Sequence, residues 1–407
     1  MKVRNTTLVS MVSLFGAIAG AAHAQPEYDF VLIDSYNANP LAGETRMSGI
    51  SDNGIACGVT TVDNVIGYPG IAWSLAAGKT RIPVSNPSAV NSSGLVVGIG
   101  TVYDLVTQAT YSPPNLPGTY YSPSFGDVNN SGIAVGTIST TSGSDSGGIL
   151  RIPYIWDAVN GARTISVPNA KSLHRINNVG VALGWMNNLM SQGPFVVDLA
   201  SGAYTAIVDV LPPDFGVGYP YANDINDHGE IVGSRPGTYP IYRYGFMYSS
   251  STGLHVLPFP GAGYQQYVSP TAINNAGTIV GNISTVLASQ HVFVYSESHG
   301  LRDLNEGSLI AGMPAGYRLY FASNINNQGW IVGYGHTAAG KITGFVLKPR
   351  GASCSADFNR DGTLDFFDYL DFVDGFSGNA AAADFNGDGI IDFFDYLDFV
   401  DSYQAGC

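Results

Sequence analysis

The chain has 407 residues, of which 45% are hydrophobic and 12% charged, with 31 acids against 17 bases and a formal net charge of −14. Its length exceeds the needs of one small core, so at least two folding units are expected. The acidic balance and the lack of any basic cluster exclude nucleic acid as a partner, while abundant Gly (51) and Tyr (24) favour strands and tight turns over helices.

The chain opens on a targeting pattern. Lys2 and Arg4 precede an uncharged apolar run over 8–22, and Ala22-His23-Ala24 supplies the small residues of a cleavage site. Residues 1–24 therefore read as a secretory signal peptide, with a mature start at Gln25. No later stretch approaches the roughly 18 apolar residues of a membrane-crossing helix. The mature chain is expected outside the cytoplasm, secreted or at the cell surface, and not membrane-spanning.

Residues 25–350 are built on one repeated phrase. It reads "ISDNGIACG" from Ile50, "VNSSGLVVG" from Val90, "VNNSGIAVG" from Val128, "INNVGVALG" from Ile176, "INDHGEIVG" from Ile225, "INNAGTIVG" from Ile273 and "INNQGWIVG" from Ile325. The copies start 40, 38, 48, 49, 48 and 52 residues apart, the period of a propeller blade rather than of a leucine-rich coil. The Asn can bond its own backbone two residues on, and the Gly at 54, 94, 132, 180, 229, 277 and 329 supplies the left-handed conformation of a hairpin turn. A second apolar element follows most copies, as in "PYIWD" from Pro153, "GFMYS" from Gly245 and "HVFVY" from His291, and a short turn leads to a further stretch. Four short strands per unit predict a seven-bladed β-propeller. After the seventh phrase only "GFVLK" from Gly344 remains, so "YDFVLID" from Tyr28 is expected to complete the last blade and close the ring.

These repeats resemble the extracellular repeats named for a His-Ala-Phe tripeptide, the HAF family, over about residues 48–348. His291-Val292-Phe293 comes nearest to the tripeptide. The resemblance implies an extracellular repeat protein and no agreed activity.

Candidate catalytic groups in this region are Asp127, His174, Asp224, Asp227, His228 and Glu230, since a hydrolase or lyase would need converging carboxylates or a base beside a cation. Their places in or beside the phrase favour solvated turn residues instead. Aromatic residues cluster before several phrases: Tyr120-Tyr121, Tyr219 with Tyr221, Tyr264 with Tyr267, and Tyr317 with Tyr320-Phe321. Two readings stand for them, a binding rim for sugar or protein and packing wedged between blades. Cys57 occupies an apolar strand position of the repeat and is expected to be an inert buried thiol.

The composition changes near Lys348-Pro349-Arg350-Gly351. Residues 351–407 hold 12 Asp and one base, Arg360, and so carry 12 − 1 = 11 of the 14 net negative charges. "DFNRDGTLDFFD" from Asp357 and "DFNGDGIIDFFD" from Asp384 match the spacing of a twelve-residue calcium loop. The first offers Asp357, Asn359, Asp361, Asp365 and Asp368 with the carbonyl of Thr363. The second offers Asp384, Asn386, Asp388, Asp392 and Asp395 with the carbonyl of Ile390. Crowded carboxylates repel one another unless a hard dication neutralises them, so two Ca2+ ions and metal-coupled folding are expected. Each loop runs on into a helix through the decapeptide "DFFDYLDFVD". A helical projection puts Phe366, Tyr369, Leu370, Phe372, Val373 and Phe376 on one packing arc and Asp365, Asp368, Asp371 and Asp374 opposite. Phe367 and Phe394 fall among the acids, as partner contacts or as local packing.

Paired loop-helix units of this kind resemble type I dockerins, here over residues 354–407 and in the GC-type form opened by Cys354 and ended by Gly406-Cys407. That resemblance implies docking to a cohesin-like or other surface or scaffold protein, in either of two orientations of near-symmetric copies. Loop positions ten and eleven hold Phe366-Phe367 and Phe393-Phe394, where cellulosomal dockerins commonly carry small hydroxyl residues. In a secreted chain Cys354 and Cys407 are expected to form a disulfide clasp.

The domains expected are thus 1–24, 25–350 and 351–407. The leading functional reading is a secreted, non-catalytic binding protein tethered through its tail. Against it stand an extracellular polysaccharide-degrading enzyme, glycoside hydrolase or lyase, and a structural surface-coat component.

Overall fold

A computed structural model describes residues 27–37, 43–62, 68–119, 121–140, 150–187, 192–207, 219–237, 242–286, 289–306, 309–350, 356, 358, 364, 366–385 and 390–405. The expected signal peptide, Tyr120, Cys354, Cys407 and the first-loop residues Asp357, Asn359, Asp361, Thr363 and Asp365 lie outside these, as do Asn386 and Asp388 of the second loop.

The repeat region is a succession of antiparallel strands. Each phrase is the turn between a strand that leads into it and one that leaves, as between Tyr221–Ile225 and Ile231–Pro236. The turn Gly adopts φ between 72° and 89° in all seven copies, the left-handed conformation expected of it. The closing Gly of the phrase has another reason to be Gly. A Cβ on Gly233 would fall 2.8 Å from Cζ of Phe246, the buried ring that the next strand, Arg243–Ser249, lays across it. Phe195, Phe293 and Phe345 are buried in the same way, each opposite its own glycine.

Backbone ladders fall into four sheets of 5, 11, 4 and 8 strands. Strand Tyr28–Ile33 pairs antiparallel with Ile342–Pro349, from Tyr28 opposite Pro349 to Ile33 opposite Gly344, as expected from the unpaired strand at the end of the array. Side chains continue where the ladders stop. Asn91 Nδ2 donates to the carbonyl of Asn129 (2.9 Å), Asn129 to Asn177 (3.1 Å), Asn177 to Asn226 (2.9 Å), Asn226 to Asn274 (3.0 Å), Asn274 to Asn326 (3.1 Å) and Asn326 to Ser51 (2.9 Å). Ser51 replaces Asn in the first copy, and there Asn53 reaches Ser92 (2.8 Å) instead. A circuit of amides, buried except at the exposed Asn53, thus links every turn to the next and returns from the seventh to the first.

Apolar clusters fill the gaps between successive sheets, as where Ala272, Val280 and Val292 meet Leu319, Ala322 and Ile325. Cys57 belongs to one of them, fully buried, with its thiol pushed up to about 12 by burial.

Two helices occupy the tail, α1 (Phe366–Ser377) and α2 (Phe393–Ala405). Their core is a symmetric pair: the rings of Phe372 and Phe399 stack at 3.9 Å and 1°, with the Tyr369 and Tyr396 hydroxyls 3.3 Å apart. The packing arc differs from the projection. Phe366 and Leu370 are 62% and 44% exposed, while Asp368 is fully buried.

Candidate functional site

The strands that lead into the phrases begin around a cavity of about 890 Å3. Arg46, Arg175 and Arg243 line it, and no Asp or Glu among the described residues does. Two of these cations stand on aromatic stacks. Arg243 lies over the ring of Tyr221 (5.4 Å) and beside Tyr267 (5.6 Å), and Tyr221 stacks on Trp185 at 5.9 Å and 21°. Arg46 lies over Tyr334 (5.1 Å), which stacks on Phe321 at 5.5 Å and 18°. Amide and hydroxyl groups of Asn86, Asn223, Ser172 and Ser323 complete the wall. Guanidinium over aromatic ring is a stable pairing that keeps the fork of donors free for a ligand.

Arg175, on the wall of this cavity, stands beside two acids. It holds the place immediately before the fourth phrase, which Asp127 and Asp224 hold in the third and fifth, so two acids flank one base. Arg175 Nε lies 3.5 Å from Asp224 Oδ1. Burial pushes the Asp224 carboxyl up to about 7, against the opposing pull of Arg175 and of the Ile273 N–H, which donates to Oδ2 at 3.0 Å. Asp127 is raised for the same reason; it accepts from Ile176 N at 3.0 Å and from Val128 N at 2.8 Å. Burial holds His174 neutral, its pKa pushed down to about 4, and its Nε2 donates to the carbonyl of Ala222 at 2.9 Å.

The reading of these three as solvated turn residues is therefore corrected. They lie on strands, Asp127 and Asp224 at the wall of a cavity that the turns share and His174 at the wall of the wide one. For Asp227 the turn reading stands: burial raises its pKa, but bonds from Asn275 and Asn178 outweigh it and hold the carboxyl below its usual range. Glu230 accepts from Asn226 at 2.6 Å, and His228 N donates to Asn226 Oδ1 at 3.1 Å in the same turn. These turns line a second, narrow cavity of about 120 Å3 that Asp127 and Asp224 share.

The aromatic clusters divide between their two readings. Tyr317 is buried, donating to the Thr343 carbonyl at 2.9 Å with its ring against Phe30, and Tyr264 donates to Asp303 at 2.8 Å; both are packing. Tyr121, Tyr219, Tyr221 and Tyr320 are exposed. Arg46, Arg175, Arg243, Trp185 and Tyr334 were missed. Aligning the residue before each phrase would have exposed Arg175 beside Asp127 and Asp224.

In the tail, Asp395 is fully buried and folds back over its own loop: Oδ1 accepts from Phe385 N at 2.7 Å and Oδ2 from Asp392 N at 2.8 Å. Asp368 is its buried counterpart. Carboxylates so deeply placed are stable as anions only with hydrogen bonds and a cation, and the described donors fit a calcium loop. The described residues contain no cluster of three metal-ligating side chains; Asp384, the Ile390 carbonyl and Asp392 belong to the same loop as Asp395. Phe367 and Phe394 are each 64% exposed.

No protein-family model matches the chain, and comparison with curated proteins gives no match. Among solved structures it is similar to an oligogalacturonate lyase in complex with manganese, at 9% identity and a TM-score of 0.54, covering 81% of this chain and 99% of that one. It is also similar to the β-propeller domain of the Trilobed protease from Pyrococcus furiosus, at 12% identity and a TM-score of 0.45, covering 65% of this chain and 84% of that one. At such identities the likeness is one of fold, the β-propeller. No helix among the described residues is long and apolar enough to cross a membrane.

Proposed function

We propose that the chain is a secreted, non-catalytic binding protein. Residues 25–350 form a seven-bladed propeller, its last blade completed by Tyr28–Ile33, and the wide cavity receives a ligand. Residues 351–407 form a dockerin-like module that folds around two Ca2+ ions and attaches the propeller to a cohesin-like or other surface protein through Phe367 and Phe394. The observation that carries this reading is a division of labour: cations, rings and amides line the wide cavity, while Asp127 and Asp224 stand outside its lining, held by backbone N–H groups. Asp357, Asn359, Asp361, Asp365 and Asp368 with the Thr363 carbonyl would hold one ion, and Asp384, Asn386, Asp388, Asp392 and Asp395 with the Ile390 carbonyl the other. The ions supply the positive charge that lets these carboxylates share a site.

A second reading, a polysaccharide-degrading enzyme, is favoured by one observation. Asp224 has a carboxyl pushed up to about 7 beside Arg175, a protonation range suited to general acid–base work. Incubating the calcium-loaded protein with a polysaccharide panel separates the two. Binding without new reducing ends or unsaturated products supports the binding protein; products that vanish in Asp224→Asn overturn it.

A further inference from the structure

The wide cavity has a charge opposite to that of the chain around it. The whole chain has a net charge of −14, yet three guanidinium groups and no described carboxylate line this one hollow. Grouping like charges is unfavourable without a counter-charge, and the cations are unequally matched within the protein. Arg46 is held by Glu44 at 2.9 Å and Arg175 by Asp224, but among the described residues the polar partner of Arg243 is the Ser234 hydroxyl at 3.3 Å, with two rings beside it. Its remaining donors point to an anion from outside.

Size and shape narrow the anion further. About 890 Å3 lies within the range of roughly 300–1,000 Å3 that takes small ligands, which suits a short oligomer and not the surface of a folded partner. Trp185 and Phe321 themselves line the cavity and offer two apolar rings, each in a stack whose tyrosine carries an arginine over it. A pyranose ring presents a C–H face to such a plate and its substituents to the rim, whereas an acidic peptide side chain has no flat face to place there. The planar fork of arginine matches a carboxylate in two parallel hydrogen bonds.

We infer that the cavity takes an acidic oligosaccharide, its sugar rings on the two aromatic plates and a carboxylate paired with Arg243. The inference rests on the reading of the propeller as a ligand-binding body and adds the ligand's class.

Calorimetric titration of the full calcium-loaded chain tests it, with hexuronate tetrasaccharides, a sulfated tetrasaccharide, a neutral glucose tetrasaccharide and tetraglutamate as ligands. The hexuronates should bind at least about tenfold tighter than the neutral sugar, and weaken as salt rises. Arg243→Ala should lower hexuronate affinity by about tenfold or more, with Arg243→Lys intermediate, because a point charge replaces a bidentate fork; unchanged melting in both variants shows that the fold is intact. Equal affinity for the neutral sugar, lost in Trp185→Ala, overturns the acidic class and leaves the binding reading standing. Tighter binding of tetraglutamate or of the sulfated sugar overturns carboxylate-sugar recognition. Absence of heat with every ligand overturns both the class and the binding reading.

Discussion

At the scale of single residues, the informative group is the acid–base–acid row Asp127, Arg175, Asp224. A carboxyl with an ordinary value of 3.8 is pushed up to about 7 at Asp224, because burial outweighs the help of Arg175 and two backbone N–H groups. Between those values the folded chain keeps a proton that the unfolded chain has released, so the folded state binds more protons and stability falls as pH rises through that window. The contribution is fully present below about pH 4 and is lost as pH passes about 7. Asp224→Asn holds the neutral form permanently while preserving an acceptor for the Ile273 N–H. The variant should melt at a higher temperature than the parent at pH 8, and the difference should shrink towards pH 4. Calcium-loop carboxylates titrate in both proteins, so the difference between the two melting profiles isolates Asp224. Parallel profiles would show that this carboxyl ionises freely in the fold.

At the scale of the element, the hairpin phrase does more than turn the chain. Asn274 is buried; its Oδ1 accepts from Ala276 N (3.1 Å) and Thr278 N (2.9 Å) while Nδ2 donates to the Asn326 carbonyl (3.1 Å). Asn274→Ala leaves the Ala276 and Thr278 N–H groups without their side-chain acceptor and the Asn326 carbonyl with the Gly329 N–H alone, which should cost about 1–3 kcal/mol, read as a lower urea midpoint at unchanged slope. A loss below about 0.5 kcal/mol, the level of an ordinary surface substitution, would mean that the amide circuit does not hold the repeats together. The turn itself was legible in the sequence, since a left-handed Gly and an Asn bonding two residues on are local chemistry. So was the partner of Tyr28–Ile33, because an array that ends one strand short leaves one place for it. The long reach of Nδ2 was not legible, nor was the meeting of Arg46 with Tyr334, because both depend on which repeats become neighbours. The helical projection failed for a related reason: a wheel treats α1 as isolated, whereas in the fold Asp368 is buried and Phe366 is left in solvent.

At the scale of the molecule, the two regions differ in what holds them. The cluster around Phe372 and Phe399 draws only on residues of the tail, and the clusters of the repeat region draw on none of these. Two separate unfolding transitions are therefore expected. The repeat region has continuous apolar packing and an amide circuit, neither of which needs an ion. The tail has an aromatic core of its own, but it concentrates 11 of 14 net negative charges in residues 351–407 and buries Asp368 and Asp395 completely, so it is expected to depend on bound cations. Adding a chelator to the full protein should abolish the helical circular-dichroism transition, leave the β transition where it was, and be reversed by excess Ca2+ but poorly by Mg2+, which demands a tighter octahedral site. Metal that protects the fold does so by mass action, so the midpoint of the helical transition should climb with free Ca2+ concentration. A helical transition indifferent to chelator and to Ca2+ would mean that the stacked Phe372–Phe399 core suffices alone, and the ion-dependent attachment would fall with it.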